Sequence, residues 1–337
     1  YDYASSVAAL EDGGYVVAGG YQEGDGVDPT GDFARLKTDG SVHGGIDGFL
    51  AKYDKDNNLV WMKNFSGSEH DQIKQIRATK DGGIAALVET LSNDGDMQDL
   101  NKGLFDVAVV KYDKDGNREW IRSIGGVNLE SAGFGIDIMA DGSYIVGGHT
   151  SRGSGDFAGT DYYGDIFDIF AAQISPEGEL LWIRTYGGDK SEYCNSIIAT
   201  EDGGFLLSGD TKSTTGTFAG IGTGYDNAFI IKCDGSGKVE WTDIIKSSET
   251  SEISSALETD YGYVFTGYSR GTDFDFEGIS KGSADAFVAV YDKDGKRQSL
   301  ENIGGSLADY GAQMARLNDY QISILVYGES ADGDFTG

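Results

Sequence analysis

The sequence predicts an all-β fold in which one four-stranded antiparallel unit is repeated along the chain. The first observation is the spacing of the four tryptophans, Trp61, Trp120, Trp182 and Trp241, which are 59, 62 and 59 residues apart. The second is the recurrence of Asp-Gly turns between short alternating apolar runs, a pattern typical of β-hairpins. The third is the absence of helical periodicity in a chain with only 2 prolines. A long period kept this regular indicates one supersecondary unit stacked several times.

Each repeat reads as four strands, and the second repeat shows their order. Its first strand begins near Ile73 and its second at Ile84. A long polar loop precedes a third strand from Val107 to Tyr112, and a tight turn leads to a fourth strand that contains Trp120. The same order recurs and predicts units with the bounds 1–65, 66–124, 125–186, 187–245, 246–304 and a partial unit 305–337.

Four antiparallel strands in about 60 residues, repeated around an axis, describe the blade of a β-propeller. A β-solenoid is the alternative, but its coils are shorter and pair in parallel, so the hairpin turns argue against it. We therefore predict a single propeller domain over residues 1–337. A six-bladed ring with an incomplete sixth blade is the first prediction and a truncated seven-bladed ring the second. Either the chain continues beyond Gly337 or another segment completes the sixth blade.

The charge balance limits the classes of partner that the chain is expected to bind. The chain has 26 basic and 56 acidic residues and a net charge of -30. Binding to nucleic acid or to an anionic membrane needs the opposite sign, so neither is expected. No apolar stretch approaches the roughly 20 residues of a membrane span. The two cysteines, Cys194 and Cys233, are expected to be small buried residues, although a bridge between them is geometrically possible.

The repeats resemble a known kind of sequence. The shared phrase runs from Asp-Gly-Gly and an apolar strand, through Asp-Ala-Phe-Val and Tyr-Asp-Lys-Asp-Gly-Asn, to Trp and Gly-Gly. It resembles the β-propeller repeats of bacterial secreted and surface proteins, the SBBP type, and the resemblance covers nearly the whole chain. It implies the fold and an extracellular or cell-surface location, but no particular activity.

The tryptophan phrase is also similar to the docking motif of quinoprotein propellers, in which the ring packs between adjacent blades. That resemblance implies a structural docking role for Trp61, Trp120, Trp182 and Trp241. It does not extend to the quinone cofactor, because the sequence has no vicinal disulfide or metal triad to hold one.

Two sets of aspartates recur around the long loops between the second and third strands. One set lies in Gly-Asp-Phe-like phrases and the other opens the third strand. Carboxylates at such positions are candidate calcium ligands in each blade, and capping of backbone amides by the same side chains is the alternative that we favour. The candidate calcium ligands are Asp32, Asp47, Asp96, Asp106, Asp156, Asp168, Asp226, Asp275, Asp285 and Asp334.

Acidic residues also recur ten positions before the aspartate of the turn between the first two strands, at Asp2, Asp71, Glu192 and Asp309. In a propeller these residues start the innermost strands, near the mouth of the central channel. A ring of carboxylates there is predicted to hold a cation or a basic ligand, with the capping of strand-start amides as the alternative. Like charges this close raise each other's pKa.

No catalytic constellation stands out. His43, His70 and His149 lack metal-ligand spacing, and there is no nucleophile elbow or phosphate loop. The first functional hypothesis is therefore a non-enzymatic propeller that binds a protein or glycan through its long-loop face. The alternatives are a polysaccharide hydrolase or lyase that uses the channel-mouth acids, and a structural subunit that assembles by strand donation into the sixth blade.

Overall fold

The computed structural model describes residues 2–22, 45–133, 135–151, 153–164, 166–318 and 321–336. In these ranges all regular structure is β-strand apart from short 3₁₀ turns. The all-β prediction and the four-stranded unit are confirmed.

Five sheets contain four strands in chain order. The strands of the first sheet are β1 (Asp2–Ala9), β2 (Tyr15–Gln22), β3 (Ile46–Tyr53) and β4 (Leu59–Phe65). Those of the second are β5 (Asp71–Ala78), β6 (Ile84–Thr90), β7 (Asp106–Tyr112) and β8 (Arg118–Ile124). In the third, the first strand is split into β9 (Glu130–Ser131) and β10 (Ile136–Ile138), followed by β11 (Tyr144–Thr150), β12 (Asp168–Ile174) and β13 (Leu180–Tyr186).

The fourth sheet consists of β14 (Glu192–Ala199), β15 (Phe205–Thr211), β16 (Asn227–Cys233) and β17 (Val239–Ile245). The fifth consists of β18 (Ser251–Thr259), β19 (Gly262–Ser269), β20 (Asp285–Tyr291) and β21 (Arg297–Ile303). The sixth has only β22 (Asp309–Asn318) and β23 (Gln321–Gly328) in the part of the chain that the structure describes.

Neighbouring sheets pack face to face through apolar side chains. The second and third strands are buried almost throughout, as in β7, where every residue is buried. One core cluster joins the first and second sheets through Val16, Leu50, Ile84 and Val110, and equivalent clusters join the later pairs. Strands buried on both faces read as continuous apolar runs, which is why the second and third strands stood out in the sequence.

The innermost strands of all six sheets surround one cavity of about 850 Å³. Its lining comes from β1, β5, β10, β14, β18 and β22, with Ser5, Gln75, Asp137, Ser196 and Gln313 among the polar residues. The sheets therefore stand around a shared centre, and the described second-to-third-strand loops of the second to fifth sheets lie at one end of it. We call that end the loop face.

Candidate functional site

Among the described residues, the Gly-Asp-Phe-like phrases of the second to sixth sheets form a repeated 3₁₀ turn on the loop face. In each turn the second residue binds the residue that follows the fourth strand of the preceding sheet. Asp96 Oδ2, for example, accepts the Ser66 amide at 2.9 Å while the Asp96 amide donates to the Ser66 carbonyl. Asp156, Asp275 and Asp334 do the same for Gly125, Lys246 and Gly304. Thr217 replaces the aspartate in the fourth sheet and accepts the Gly187 amide through its hydroxyl.

These loop carboxylates are already engaged by cationic side chains of the chain. Arg118 donates to Asp96 at 2.8 Å and Arg297 to Asp275 at 2.5 Å. In the other two turns lysines form the ion pairs, Lys102 with Asp156 and Lys281 with Asp334. The contacts match the amide-capping alternative, and the role of the turn is to tie one sheet to the next.

The strand-opening aspartates lie at a different place from the loop aspartates. Asp47, Asp106, Asp168 and Asp285 are at most 1% exposed. In the fourth sheet the equivalent residue is Asn227, which pairs with Thr211 as Asp168 pairs with Thr150. Asp226 lies one residue earlier and forms an ion pair with Lys212 at 3.3 Å. The sequence pattern therefore predicted Asp226, which is the chain neighbour of the structurally equivalent residue, Asn227.

The two predicted sets of calcium ligands do not meet in one cluster. Within the described residues there is no group of three or more histidine, cysteine, aspartate or glutamate side chains placed to hold a metal ion. Asp32 lies outside the described residues. The calcium ions stay a prediction, and the contacts above show that the loop carboxylates already have amide and cationic partners.

The predicted channel-mouth acids do start the innermost strands, but most are buried between sheets. Asp71, Glu192 and Asp309 are 0% exposed, whereas Asp2 is exposed. None of the four lines the central cavity. The equivalent residues in the remaining sheets are Glu130 and Ser251, which pair with Thr150 and Ser269 as Asp71 pairs with Thr90. The sequence pattern missed Glu130 because the split first strand places it eleven positions before its turn.

The aspartate that opens the third strand of one sheet faces the acid that opens the first strand of the next sheet. We call each such junction a seam and number it by the earlier of its two sheets. The name is kept where neutral residues take these two positions. The third seam joins Asp168 to Glu192, whose amide donates to the Phe167 carbonyl at 3.0 Å. A methyl group built on Gly187 would lie 2.2 Å from Asp168 Oδ1 and 2.8 Å from Glu192 Oε2. Both carboxyl groups therefore approach the same backbone atom, and only glycine fits between them.

Burial changes the ionisation of these acids. It raises the pKa of Asp168 to about 6 and that of Glu192 to about 7, and the Asp168 carboxyl adds to the effect on Glu192. In the second seam, burial raises the pKa of Asp106 to about 7, and that of Glu130 also rises. Burial raises the pKa of Asp71 to about 6. Desolvation penalises the charged form, so these groups keep a proton to higher pH than exposed carboxyls do.

The second, third and fifth seams also have partly satisfied hydrogen-bond networks. Glu192 accepts the hydroxyl of Thr211 at 3.0 Å, and Asp168 Oδ2 accepts the Tyr163 amide at 3.0 Å. The second oxygen, Oδ1, of Asp106, Asp168 and Asp285 is buried without a hydrogen-bond partner. In the fourth seam the equivalent atom is the amide nitrogen of Asn227, which donates to the Ser247 carbonyl at 2.8 Å.

The tryptophan rings lie against the following sheet. Trp61 Nε1 donates to the Lys114 carbonyl at 3.2 Å, and Trp120 Nε1 donates to the Pro176 carbonyl at 3.0 Å. Trp182 stacks on Phe205, and Trp241 stacks on Tyr291 with planes 7° apart. These contacts belong to sheet-to-sheet packing, as the docking resemblance implies.

Tyrosines surround a cavity of about 450 Å³ at the loop-face end of the centre, and the sequence reading did not single them out. Tyr3, Tyr268, Tyr310 and Tyr327 line it together with Glu252. Each tyrosine lies inside a strand, and no local signal in the sequence separates it from a packing residue.

No family model matches the chain. It is similar to the regulatory protein FlaEY of Caulobacter vibrioides, with 26% identity over 214 residues that cover 57% of this chain and 22% of that protein. The chain thus spans about a fifth of the length of that curated relative.

Several solved structures share a low overall likeness. A protein of unknown function from Bacteroides caccae has 14% identity and a TM-score of 0.45, covering 90% of this chain and 82% of that one. Cobalt-substituted ACO of Synechocystis has 11% identity and a TM-score of 0.49, with 90% and 63% covered. The Pan2 WD40 domain of Neurospora crassa has 10% identity and a TM-score of 0.43, with 100% and 92% covered. Across the residues described, no helix has the length and apolar character needed to cross a membrane.

Proposed function

We propose that this chain is a non-enzymatic β-propeller module that works outside the cell or at its surface and binds a protein or glycan through the loop face. The arrangement of six sheets around one cavity supports a ring in which the sixth blade is incomplete. The resemblance of the repeats to secreted and surface propellers supports the location. A truncated seven-bladed ring is the second architecture, and it predicts a further blade between the sixth and first sheets.

The observation that carries this proposal is the set of exposed apolar side chains on the loop face. Isolated exposed apolar residues are normal, but a set gathered on one face marks an interaction site. The turn regions of that face present the following residues, each at least 48% exposed: Leu104, Val127, Ile166, Tyr225, Phe274 and Leu307. They stand on loops fixed by the amide-capping turns, and rigidly held loops are where binding residues concentrate.

The enzymatic alternative has lost the residues on which it rested. Asp71, Glu192 and Asp309 are wholly buried at seams, with side chains or amides of the chain as partners. A sugar ring reaches them only if two sheets separate. This burial favours a binding role over a hydrolytic one.

The test compares binding to glycan and purified-protein arrays by three forms of the chain. A loop-face variant carries Ile166→Ser, Tyr225→Ser and Phe274→Ser. A matched control carries Val60→Ser, Leu181→Ser and Tyr261→Ser, which lie away from the loop face and are also more than half exposed. We expect at least tenfold weaker binding by the loop-face variant and unchanged binding by the control. Equal binding by all three forms would exclude the loop face.

A second proposal is that the sixth sheet accepts a strand pair from another chain or segment. In three complete sheets the turn phenylalanine is buried against a third-strand phenylalanine, in the pairs Phe157–Phe170, Phe218–Phe229 and Phe276–Phe287. Phe335, the equivalent residue of the sixth sheet, is 39% exposed. The exposed edge of β23 adds unpaired backbone groups next to it, which is the usual template for strand addition.

A synthetic hairpin with the sequence of residues 285–303 tests this second proposal. It reproduces the third and fourth strands of the fifth sheet and supplies Phe287. We expect saturable binding to the chain and a loss of binding when the peptide carries Phe287→Asp. Equal binding of the two peptides would contradict strand completion, and so would an absence of binding by both.

A further inference from the structure

We propose that the tyrosine-lined cavity at the centre of the loop face is a binding site for an organic cation, namely an alkylammonium or guanidinium group. This inference deepens the proposed function, on which it rests, by naming the chemistry that the centre of the loop face recognises. The cavity lies where sheets four, five, six and one meet, and it adjoins the central cavity through Ala4, Ser5 and Gln313.

The rings form a cage. Tyr268 and Tyr310 meet edge to face with centroids 4.8 Å apart, and Tyr310 stacks on Tyr327 at 5.3 Å. Tyr3, from the first sheet, also lines the cavity. Tyr3 and Tyr327 are 37% and 60% exposed, so ring surface is accessible from solvent. Aromatic faces attract cations within about 6 Å of a ring centroid, and cages of this kind are a common way to bind quaternary ammonium groups.

Acidic groups beside the cage set the sign of the ligand. Glu252 lines the cavity and lies directly opposite Tyr268 in the pairing of β18 with β19. Asp210, which contacts Asn195 of the lining at 3.5 Å, is a second buried carboxyl close to Glu252. The pKa of Glu252 is raised mainly by burial and also by the neighbouring Asp226. The pKa of Asp210 is raised mainly by burial and also by Asp226 and Glu252. A cation bound beside these carboxyl groups favours their ionised form.

The positive charges nearby do not fill the cage. Lys212 is held by Asp226 at 3.3 Å, and Arg270 is exposed beyond Tyr268. No lysine or arginine occurs among the described residues that line the cavity. A chain with a net charge of -30 also draws cationic ligands towards it over longer distances.

A neutral sugar is the competing occupant, because tyrosine rings also stack on sugar faces. A sugar would not need the carboxylates of Glu252 and Asp210, whereas a cation does. The pairing of a ring cage with buried acids therefore favours the cation.

The experiment is a calorimetric titration of the intact chain at constant ionic strength. The probes are choline, its neutral isostere 3,3-dimethylbutanol, and a short peptide that contains trimethyl-lysine. We expect choline to bind at least tenfold more tightly than the neutral isostere. Tighter binding of the peptide than of choline identifies a protein side chain as the source of the cation, and the reverse identifies a small molecule.

Variants of the cage locate the binding. Tyr310→Ala and Glu252→Gln are each expected to weaken choline binding at least tenfold, while Tyr310→Phe keeps the ring and stays within threefold of the parent. Tyr261→Ala, a tyrosine on the opposite face, serves as control. Equal binding of choline and its isostere would overturn the proposal, as would binding of a sugar panel without choline. If Glu252→Gln and Tyr310→Ala are silent while the loop-face variant still loses array binding, the cage falls and the proposed function stands.

Discussion

The third and fourth seams share one backbone arrangement but differ in charge. The third seam buries Asp168 and Glu192, whereas the fourth has Asn227 and Ser251 at the same register positions. In the fourth, the Asn227 side chain donates to the Ser247 carbonyl and the Ala228 amide donates to the Ser251 hydroxyl at 3.2 Å. In the third, Asp168 Oδ1 is buried without a partner. The repeat therefore fixes where polar groups meet, but it does not fix their ionisation.

This difference has a direct energetic meaning. A neutral amide in a buried position completes its hydrogen bonds at little cost, whereas a buried carboxylate pays for lost hydration and for its like-charged neighbour. The Asn227–Ser251 contact of the fourth seam is thus expected to keep its hydrogen bonds across the pH range, while the second and third seams weaken as their acids ionise. The chain carries both kinds of seam and so provides its own control.

The largest effect is expected from the outer contact of the fourth seam. Trp241 stacks on Tyr291 and covers Gly295, where a methyl group would lie 2.5 Å from the indole ring. Trp241→Ala should lower the free energy of unfolding by about 3 kcal/mol, because a large aromatic contact is lost. Urea denaturation of the parent chain and of Trp241→Ala measures this loss of unfolding free energy.

The matched control for this change is Trp182→Ala in the third seam. There Arg184 Nε and the Tyr186 hydroxyl also bind the following sheet, at the Ser236 and Gly237 carbonyls. The loss should be smaller by about 1 kcal/mol, because Trp182 packs on one aromatic ring of the following sheet whereas Trp241 packs on two, those of Tyr263 and Tyr291. A larger loss for Trp182→Ala than for Trp241→Ala would contradict the comparison.

The second effect follows from making the fourth seam acidic. Asn227→Asp removes the donor to Ser247 and buries a carboxyl group, so we expect a loss of about 2 kcal/mol at pH 8. The loss should shrink at pH 5, where a protonated carboxyl donates in place of the amide. Asn93→Asp makes the same change at an exposed position and should have little effect. A pH-independent loss for Asn227→Asp would show that packing, not charge, is responsible.

The third effect is the reverse change in the third seam. Unfolded Asp and Glu have pKa values of about 3.9 and 4.3, whereas the folded values are about 6 for Asp168 and about 7 for Glu192. Because the folded values are raised, this contribution to stability is fully present below about pH 4 and is lost as the pH rises through about 7. Asp168→Asn should therefore stabilise the chain by about 1 kcal/mol at pH 8 and by much less at pH 5.

The pH dependence of the parent chain and of Asp168→Asn is read from urea unfolding between pH 4 and pH 8. Asp115→Asn, an exposed residue of a short turn, is the control for the change in net charge. An unaltered unfolding free energy for Asp168→Asn at pH 8 would mean that this seam is no weaker than the neutral one.

Much of the fold follows from local sequence signals, but the seams do not. The Asp-Gly turns and the alternating runs place each strand because hairpin geometry depends on adjacent residues. The meeting of Asp168 with Glu192 depends on how one sheet packs on the next, and the sequence assigned these two residues to different sites. Likewise, Glu130 does not fit the ten-residue spacing between acid and turn, because its strand is interrupted between Ser131 and Ile136.

The cage at the loop face was missed for a related reason. Tyr268 and Tyr310 occupy strands whose apolar pattern predicts burial, and nothing local shows that the sixth sheet leaves their rings beside a cavity. Which side of a strand remains open is a property of the assembled sheets. A periodic pattern therefore predicts the unit well and predicts the differences between units poorly.

The last effect concerns the turn that ties each seam on the loop face. In the fourth seam Asp275 accepts the Lys246 amide at 2.6 Å and also holds Arg297, whereas in the third seam Thr217 accepts the Gly187 amide at 3.1 Å. Thr217→Val keeps the shape and removes only that acceptor, so it should cost about 1 kcal/mol. Asp275→Ala removes a charge-assisted bond and should cost about 2 kcal/mol. Urea denaturation of both variants decides the order, and equal losses would mean that the carboxylate adds nothing to the tie that a hydroxyl does not already provide.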